Sequence, residues 1–327
     1  MNYILKGENA IYYECGFSSD NAIFLSLGSE NFFITDSRYT YEAKLYVKNA
    51  LVLDGERDLI KKTRSLIRQA KVKKLVLDPH EWNISEFEEL KKLNIPFSKK
   101  PNFSQKKRIV KNDSEVEILK KAVLKGANAF SEFETLLKEH PKKSEKELNF
   151  IMQNILKSKG LYDLSFDPIV ALDENSALPH ALPTDKLLEK ESLVLVDAGL
   201  KYKRYCSDRT RTYINHDDKK QQKVYDIVKK AHDEALKFAK EGVKACDIDK
   251  AARDVIEKAG YGKYFIHSTG HGVGLDIHEL PVISKTSDTI IEENMVFTIE
   301  PGIYLENEFG IRYENMVVIK DGKAEII

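Results

Sequence analysis

The sequence carries no surplus of charge. Its 52 basic and 52 acidic residues cancel over 327 positions, so no global field draws the chain to nucleic acid or to an anionic membrane. The basic clusters at 71–74 and 99–107 are short and read as solvated faces. No apolar run approaches the ~20 residues of a membrane span. The opening MNYILKGENAIYYECGF has no basic flank followed by an apolar stretch, so no signal peptide is expected there. Cysteine is scarce: Cys15, Cys206 and Cys246 are far apart, odd in number and form no CxxC pair. That fits free thiols in a reducing compartment, with Cys206 a small apolar filler. The expectation is a cytoplasmic protein with neither nucleic acid nor membrane as a partner.

What is present is enough apolar residue, 42% of the chain, to build a sizeable core, and enough length for two domains. Residues 1–110 read as a small α/β domain. Strands are expected at 22–27, 32–35, 50–53 and 75–77, and helices near 57–70 and 84–93. The segment 94–109, with two prolines and several lysines, reads as a linker.

Residues 111–327 have a different character. Ser114-Glu-Val-Glu117 is a candidate capping box, followed by apolar residues at helical spacing: Ile118, Leu119, Ala122, Val123 and Phe130. Ser144-Glu-Lys-Glu147 is a second, opening a helix that ends near Gly160. A similar helix pair returns about a hundred residues later, near 219–240 and from about 247 to just before Gly260. The echo continues beyond the helices. His180-Ala-Leu-Pro183 matches His278-Glu-Leu-Pro281. Each precedes an apolar run that ends in an acid and a nearby glycine, Asp197-Ala-Gly199 and Glu300-Pro-Gly302. A further acid follows each, Asp208 and Glu314. The domain is therefore read as α+β, a helix-pair-plus-sheet unit duplicated about a pseudo-two-fold axis. His80, His140, His216 and His232 have no place in this pattern and are expected at the surface.

The chemistry is concentrated in the echoed acids. Asp197 ends SLVLVD and Glu300 ends MVFTIE, nearly continuous apolar runs typical of buried strands. A carboxylate there is costly unless paired or bound to a metal. The spacing of Asp197 and Asp208 permits a hairpin that joins them. On the strand-like GIRYENMVVI, the period of two puts Arg312, Glu314 and Met316 on one face. His271 lies in the glycine-rich STGHGVG, where the backbone can approach closely. Four carboxylates in one core need cations, and two divalent ions supply four positive charges where one would leave the cluster strongly negative. Oxygen ligands with one imidazole suit manganese, cobalt or zinc.

The segments LVLVDAG, SDRTRT, HSTGHGVG, FTIEPGIY and GIRYEN resemble the signatures of the pita-bread metallopeptidases, which include methionine aminopeptidase, aminopeptidase P and prolidase. FITDSRYTYEA resembles the extra N-terminal domain of aminopeptidase P and prolidase, which methionine aminopeptidases usually lack. The resemblance implies hydrolysis of Xaa-Pro peptide bonds by two divalent metals, manganese foremost. Asp197 would chelate the first, Asp208 and Glu314 would bridge both, and His271 and Glu300 would complete the second. It also implies that Glu300 shuttles a proton, that His278 stabilises the oxyanion, that His180 and His267 bind substrate, and that Arg312 orients the acids. Proline-containing peptides are the implied partners, and a homodimer the implied assembly. Aminopeptidase P-like cleavage is the leading reading. Alternatives are an Xaa-Pro dipeptidase, with Arg38 or another arginine clamping the substrate carboxylate, a metal-free interaction module, and a creatinase-like hydrolase.

Overall fold

A computed structural model describes residues 1–139 and 142–327. The chain forms two compact units, Met1–Arg108 and Ile109–Ile327. No helix among the described residues is long and apolar enough to cross a membrane.

The first unit is built on a mixed six-stranded sheet in the order Leu51–Asp54, Glu30–Thr35, Ala22–Leu27, Tyr3–Leu5, Leu75–Leu77, Phe97–Lys99. Alternation along the central strand explains why both faces are buried. Ala22 and Phe24 join Leu5, Phe33 and Val76 on one face, against Ala10, Ile11 and Ala43 of two helices. Ile23, Leu25 and Leu27 join Ile4, Ile34 and Leu75 on the other, against Ile67 and Leu90 of two more. The segment read as a linker holds structure of its own, the edge strand Phe97–Lys99 and the helix Phe103–Arg108. Its prolines do not prevent this. Pro96 still offers its carbonyl to Leu75 N, and Phe103 is anchored where its N–H donates to Asp78 Oδ2 at 2.9 Å.

The second unit contains the expected duplication. The helices Asp113–Glu139 and Glu145–Lys157 pack on a three-stranded sheet through Phe130, Phe133, Leu148, Met152, Val194 and Val196. The helices Lys219–Phe238 and Ala245–Lys258 pack on a five-stranded sheet through Val224, Val228, Ile248, Phe297, Ile299 and Val317. The two repeats can be aligned by register. Ile169 lies opposite Asp197 in one, and Glu300 N donates to Thr269 O at 2.8 Å in the other. Residues 169 and 269 are thus equivalent, as are Leu148 and Ile248 on the helices.

One cap differs from expectation. The first helix is opened by Asn112, whose Oδ1 accepts Glu115 N at 3.0 Å while Glu115 Oε2 accepts Asn112 N at 2.8 Å. Asparagine caps as well as serine, and Glu115 stands three residues beyond it, so Ser114 falls inside the first turn. The second box forms as read, with Glu147 N donating to Ser144 Oγ.

His232 is also a correction. It is fully buried, with its ring 3.0 Å from both Asn315 Nδ2 and Asp233 Oδ1 and edge-on to Tyr313. The signal was available: Val224, Val228, Ala231 and Ala235 mark the same buried helical face. His80 is exposed, His216 is half-buried, and His140 lies outside the described residues.

Burial pushes the His232 imidazole down from 6.5 to about 4. Between those values the unfolded chain binds a proton that the folded chain refuses. Stability from this group is therefore complete above pH 6.5 and is lost as pH falls toward 4, by up to on the order of 3 kcal/mol. Urea midpoints at pH 7 and pH 5 should fall less for His232→Gln than for the unaltered chain. Equal falls would refute the assignment.

Candidate metal centre

Five of the predicted residues reach one place because strands of both repeats end or begin there. Asp197 closes the buried strand Leu193–Ala198. Asp208 precedes the strand Arg209–Ile214, which pairs antiparallel with it, Thr210 opposite Asp197. Gly199 makes the return possible: a Cβ there would stand 1.9 Å from Ser207 O. Glu300 follows the strand Val296–Ile299, and Glu314 sits between the strands Phe309–Arg312 and Asn315–Lys320. His271 lies on the short strand Gly270–Gly272. Gly270 allows that strand to approach, since a Cβ there would stand 1.9 Å from Thr298 O.

Ligand atoms of Asp208, His271 and Glu314 all lie within 4.8 Å of one another. His271 Nε2 is 3.6 Å from Asp208 Oδ2 and 3.3 Å from Glu300 Oε1. Its Nδ1 is 3.1 Å from Gly272 O, which leaves Nε2 facing the acids. Thr210 Oγ1 donates to Glu314 Oε2 at 2.8 Å, and Thr298 Oγ1 donates to Glu300 Oε1 at 3.2 Å.

Arg312 organises one side. It donates through Nη2 to Asp197 Oδ2 at 2.6 Å, through Nε to Thr210 Oγ1 at 3.0 Å, and through Nη1 to Tyr304 Oη at 2.8 Å and Pro179 O at 3.3 Å. Tyr304 Oη in turn lies 2.9 Å from His267 Nε2.

These acids are not at ease as a metal-free cluster. Burial, then the charge of Glu314, pushes the Asp208 carboxyl well above its usual range. Burial, then Glu300, does the same to Glu314. Burial pushes Glu300 up to about 8 despite the opposing pull of Arg312. Asp197 Oδ1 is buried and has no hydrogen-bond partner. An orphaned acceptor beside three destabilised carboxylates and one imidazole is a donor set that fits divalent cations.

A cavity of about 750 Å³ opens onto the cluster. It is lined by all nine predicted site residues, His180, His267, His278 and Arg312 among them. The His278 ring stands edge-on to His271, with centroids 4.3 Å apart.

Several supporting residues escaped the sequence reading. Arg211 bonds both Thr210 O and Glu314 O and reaches Asn315 Oδ1, tying the two repeats together behind the acids. Lys111 and Glu279 form a fully buried ion pair at 2.8 Å, next in sequence to His278. Glu145 accepts from Leu172 N, Asn175 and Thr184, bracing both ends of the loop that carries His180. Tyr304 lay within FTIEPGIY, but no local pattern connected it to His267.

If the acids are held together against their own repulsion, removing one should help the metal-free fold. Metal-stripped Asp208→Asn should melt several degrees higher than the metal-stripped parent and should lose the stabilisation that added divalent metal gives the parent. A lower melting temperature for the metal-free variant would sink this account.

Residues 117–321 match the model of metallopeptidase family M24. The uncharacterised peptidase YqhT of Bacillus subtilis is 33% identical over 321 residues, which covers 97% of this chain and 90% of that one. Among solved structures, an Xaa-Pro dipeptidase from Bacillus anthracis superposes with a TM-score of 0.94 at 31% identity, covering 99% of this chain and 92% of that one. An X-Pro aminopeptidase from Thermotoga maritima superposes at 0.89 with 34% identity, covering 99% and 94%. With its acids and His271 gathered at the end of a duplicated pita-bread unit, the chain belongs to metallopeptidase family M24 and is an enzyme of that family.

Proposed function

We propose that the protein hydrolyses the peptide bond before proline, using two divalent ions held by Asp197, Asp208, His271, Glu300 and Glu314. The carrying observation is the group of four carboxylates and one imidazole, buried or half-buried, that lines a peptide-sized cavity. Two solved relatives of nearly the same length, named for Xaa-Pro dipeptidase and X-Pro aminopeptidase activity, support the substrate class. Manganese is the favoured metal, with cobalt and zinc as alternatives of the same ligand chemistry. When bound, the ions lower the pKa of water and polarise the scissile carbonyl.

The chain's own groups do the rest. Glu300 takes the proton of the attacking water and returns it to the prolyl nitrogen, which becomes the leaving group. His278, kept neutral by burial, donates a hydrogen bond to the developing oxyanion. His267, fixed by Tyr304 and by Ser268 O, and His180 orient the substrate. Arg312 holds Asp197 in position. The proline ring has no N–H to satisfy, which suits a cavity wall that includes Pro179, Ala181, Leu182 and Pro183.

The pocket's charge favours aminopeptidase P-like action on Xaa-Pro-Yaa over dipeptidase action. A dipeptide presents a carboxylate immediately after the ring and calls for a cation there. Among the described residues lining the cavity, Arg312 is the one arginine and lysine is absent. Its guanidinium is already committed to Thr210, Pro179, Tyr304 and Asp197. Arg38, the other arginine considered for that clamp, is paired twice with Asp36. A cytoplasmic homodimer belongs to the same reading, with sedimentation as its check.

Metal-stripped protein should cleave neither Xaa-Pro nor Xaa-Pro-Yaa, and added manganese, cobalt or zinc should restore cleavage before proline. The tripeptides should be preferred by kcat/KM. Silence on both substrates with metal verified as bound would sink the proline assignment, and preference for Xaa-Pro would transfer it to the dipeptidase branch. Failure to bind metal at all would favour the metal-free interaction module.

A further inference from the structure

We propose that the buried ion pair of Lys111 and Glu279 positions His278, an inference that rests on the role given to that histidine above. His278 has little else to fix it. His267 is held at both ring nitrogens, with Tyr304 Oη at 2.9 Å and Ser268 O at 2.7 Å. The His278 ring lines the cavity and stands edge-on to His271, but among the described residues it makes no hydrogen bond. Its place is therefore set by its backbone. That backbone closes the loop 273–278, which joins Gly272 to Glu279, paired residues of two adjacent strands.

Glu279 holds that loop from inside. Neighbouring residues of an extended chain face opposite ways, so with His278 at the cavity the Glu279 side chain turns inward, where it is 1% exposed. It packs against the loop: a Cβ on Gly274 would stand 2.3 Å from Glu279 Oε1, and Glu279 Oε2 lies 3.5 Å from Asp276 N. A buried carboxylate is costly unless compensated. Lys111 Nζ compensates it at 2.8 Å and is itself 1% exposed. Lys111 is in turn anchored. Its N–H donates to Asn294 O at 3.0 Å, and Val110 bridges to Met295, at the entrance to the strand Val296–Ile299 that leads to Glu300. The pair thus ties the His278 loop to a strand that presents an acid of the metal centre. Neither side chain lines the cavity, so both act through the loop.

The duplication supports this independently. His180-Ala-Leu-Pro183 matches His278-Glu-Leu-Pro281, so Ala181 stands where Glu279 stands. The loop that carries His180 is held instead by the fully buried Glu145, which accepts from Leu172 N at 2.7 Å and Thr184 N at 2.6 Å. The helix position matching Glu145 in the second repeat is Ala245, just as Leu148 matches Ile248. Glutamate and alanine have exchanged places. Each histidine loop has one buried carboxylate, supplied by the helix in one repeat and by the loop itself in the other. Glu145 is met by amide and hydroxyl donors, and Glu279 is met by an ammonium group.

The test reads the imidazole directly. Ring resonances are recorded by NMR on zinc-loaded protein carrying isotope-labelled histidine, with the His278 and His232 signals identified by their loss in His278→Ala and His232→Gln. Lys111→Met should move or split the His278 signal and leave the His232 signal in place. It should also lower kcat for Leu-Pro-Gly about 10-fold with KM little changed. In a His278→Ala background the same substitution should cost no more than about twofold further, because the group it acts through is gone. The double variant Lys111→Met/Glu279→Gln removes both charges and so spares the fold an unpaired buried one, and it should displace the His278 signal as well. An unmoved His278 signal in both variants, or the full loss of kcat repeated in the His278→Ala background, would overturn the proposal. Absence of cleavage by the parent, or a His278→Ala variant as active as the parent, would count against the proposed reaction or the oxyanion role and not against the pair, whose effect the ring spectra decide.

Discussion

The second unit is organised by one electrostatic constraint: four carboxylates brought together under cover with a single guanidinium among them. Each loses hydration on burial and each repels the others, which is why Asp208, Glu300 and Glu314 all resist ionisation. Such an arrangement persists only if the surrounding structure over-determines it. The strands supply most of that rigidity, since Asp197, Glu300 and Glu314 lie at or next to the ends of strands whose other residues are mostly in the core. Two arginines and two threonines complete it. Arg312 and Thr210 link Asp197 to Glu314, Thr298 holds both Glu300 and the backbone of His271, and Arg211 joins the two repeats from the opposite face. The strain is concentrated where cations relieve it, which is how a fold can carry a costly site without losing its stability elsewhere.

The sequence made the acids legible because they violate a strong rule. An aspartate at the end of LVLV or a glutamate at the end of VFTI is conspicuous by the cost of burying it, and the duplication told which acids belong together. The capping boxes and the period-two alternation likewise located most helices and strands, because caps and pleats are local. What stayed hidden was mostly non-local. Nothing within a few residues of Lys111 indicates that it meets Glu279, 168 positions away, and Glu145 reads as an ordinary first-turn acid until its partners at 172, 175 and 184 are known. The apparent linker at 94–109 misled for a related reason. Prolines and lysines are punctuation for a chain alone, yet an edge strand tolerates both when its hydrogen bonds lie on one side. His232 is the exception, since its helical spacing with Val224, Val228, Ala231 and Ala235 is itself a local mark of the buried helical face.

Duplication gives the site its acids in symmetric pairs, Asp197 with Glu300 and Asp208 with Glu314, but a symmetric site would treat both ends of a peptide alike. A peptide is polar, with an ammonium at one end, so a useful pocket has to break the symmetry. The structure breaks it at the residues that leave the backbone frame intact. The paired strands and helices keep their register, while His271 has Ala171 at the matching position, the ion pair Asp249–Arg253 has Asn149–Gln153, and His267 has Asp167. Each exchange alters charge or hydrogen bonding without altering the scaffold. The two-fold framework thus carries an asymmetric set of side chains: charge and hydrogen bonding differ between the halves while the register of strands and helices is kept.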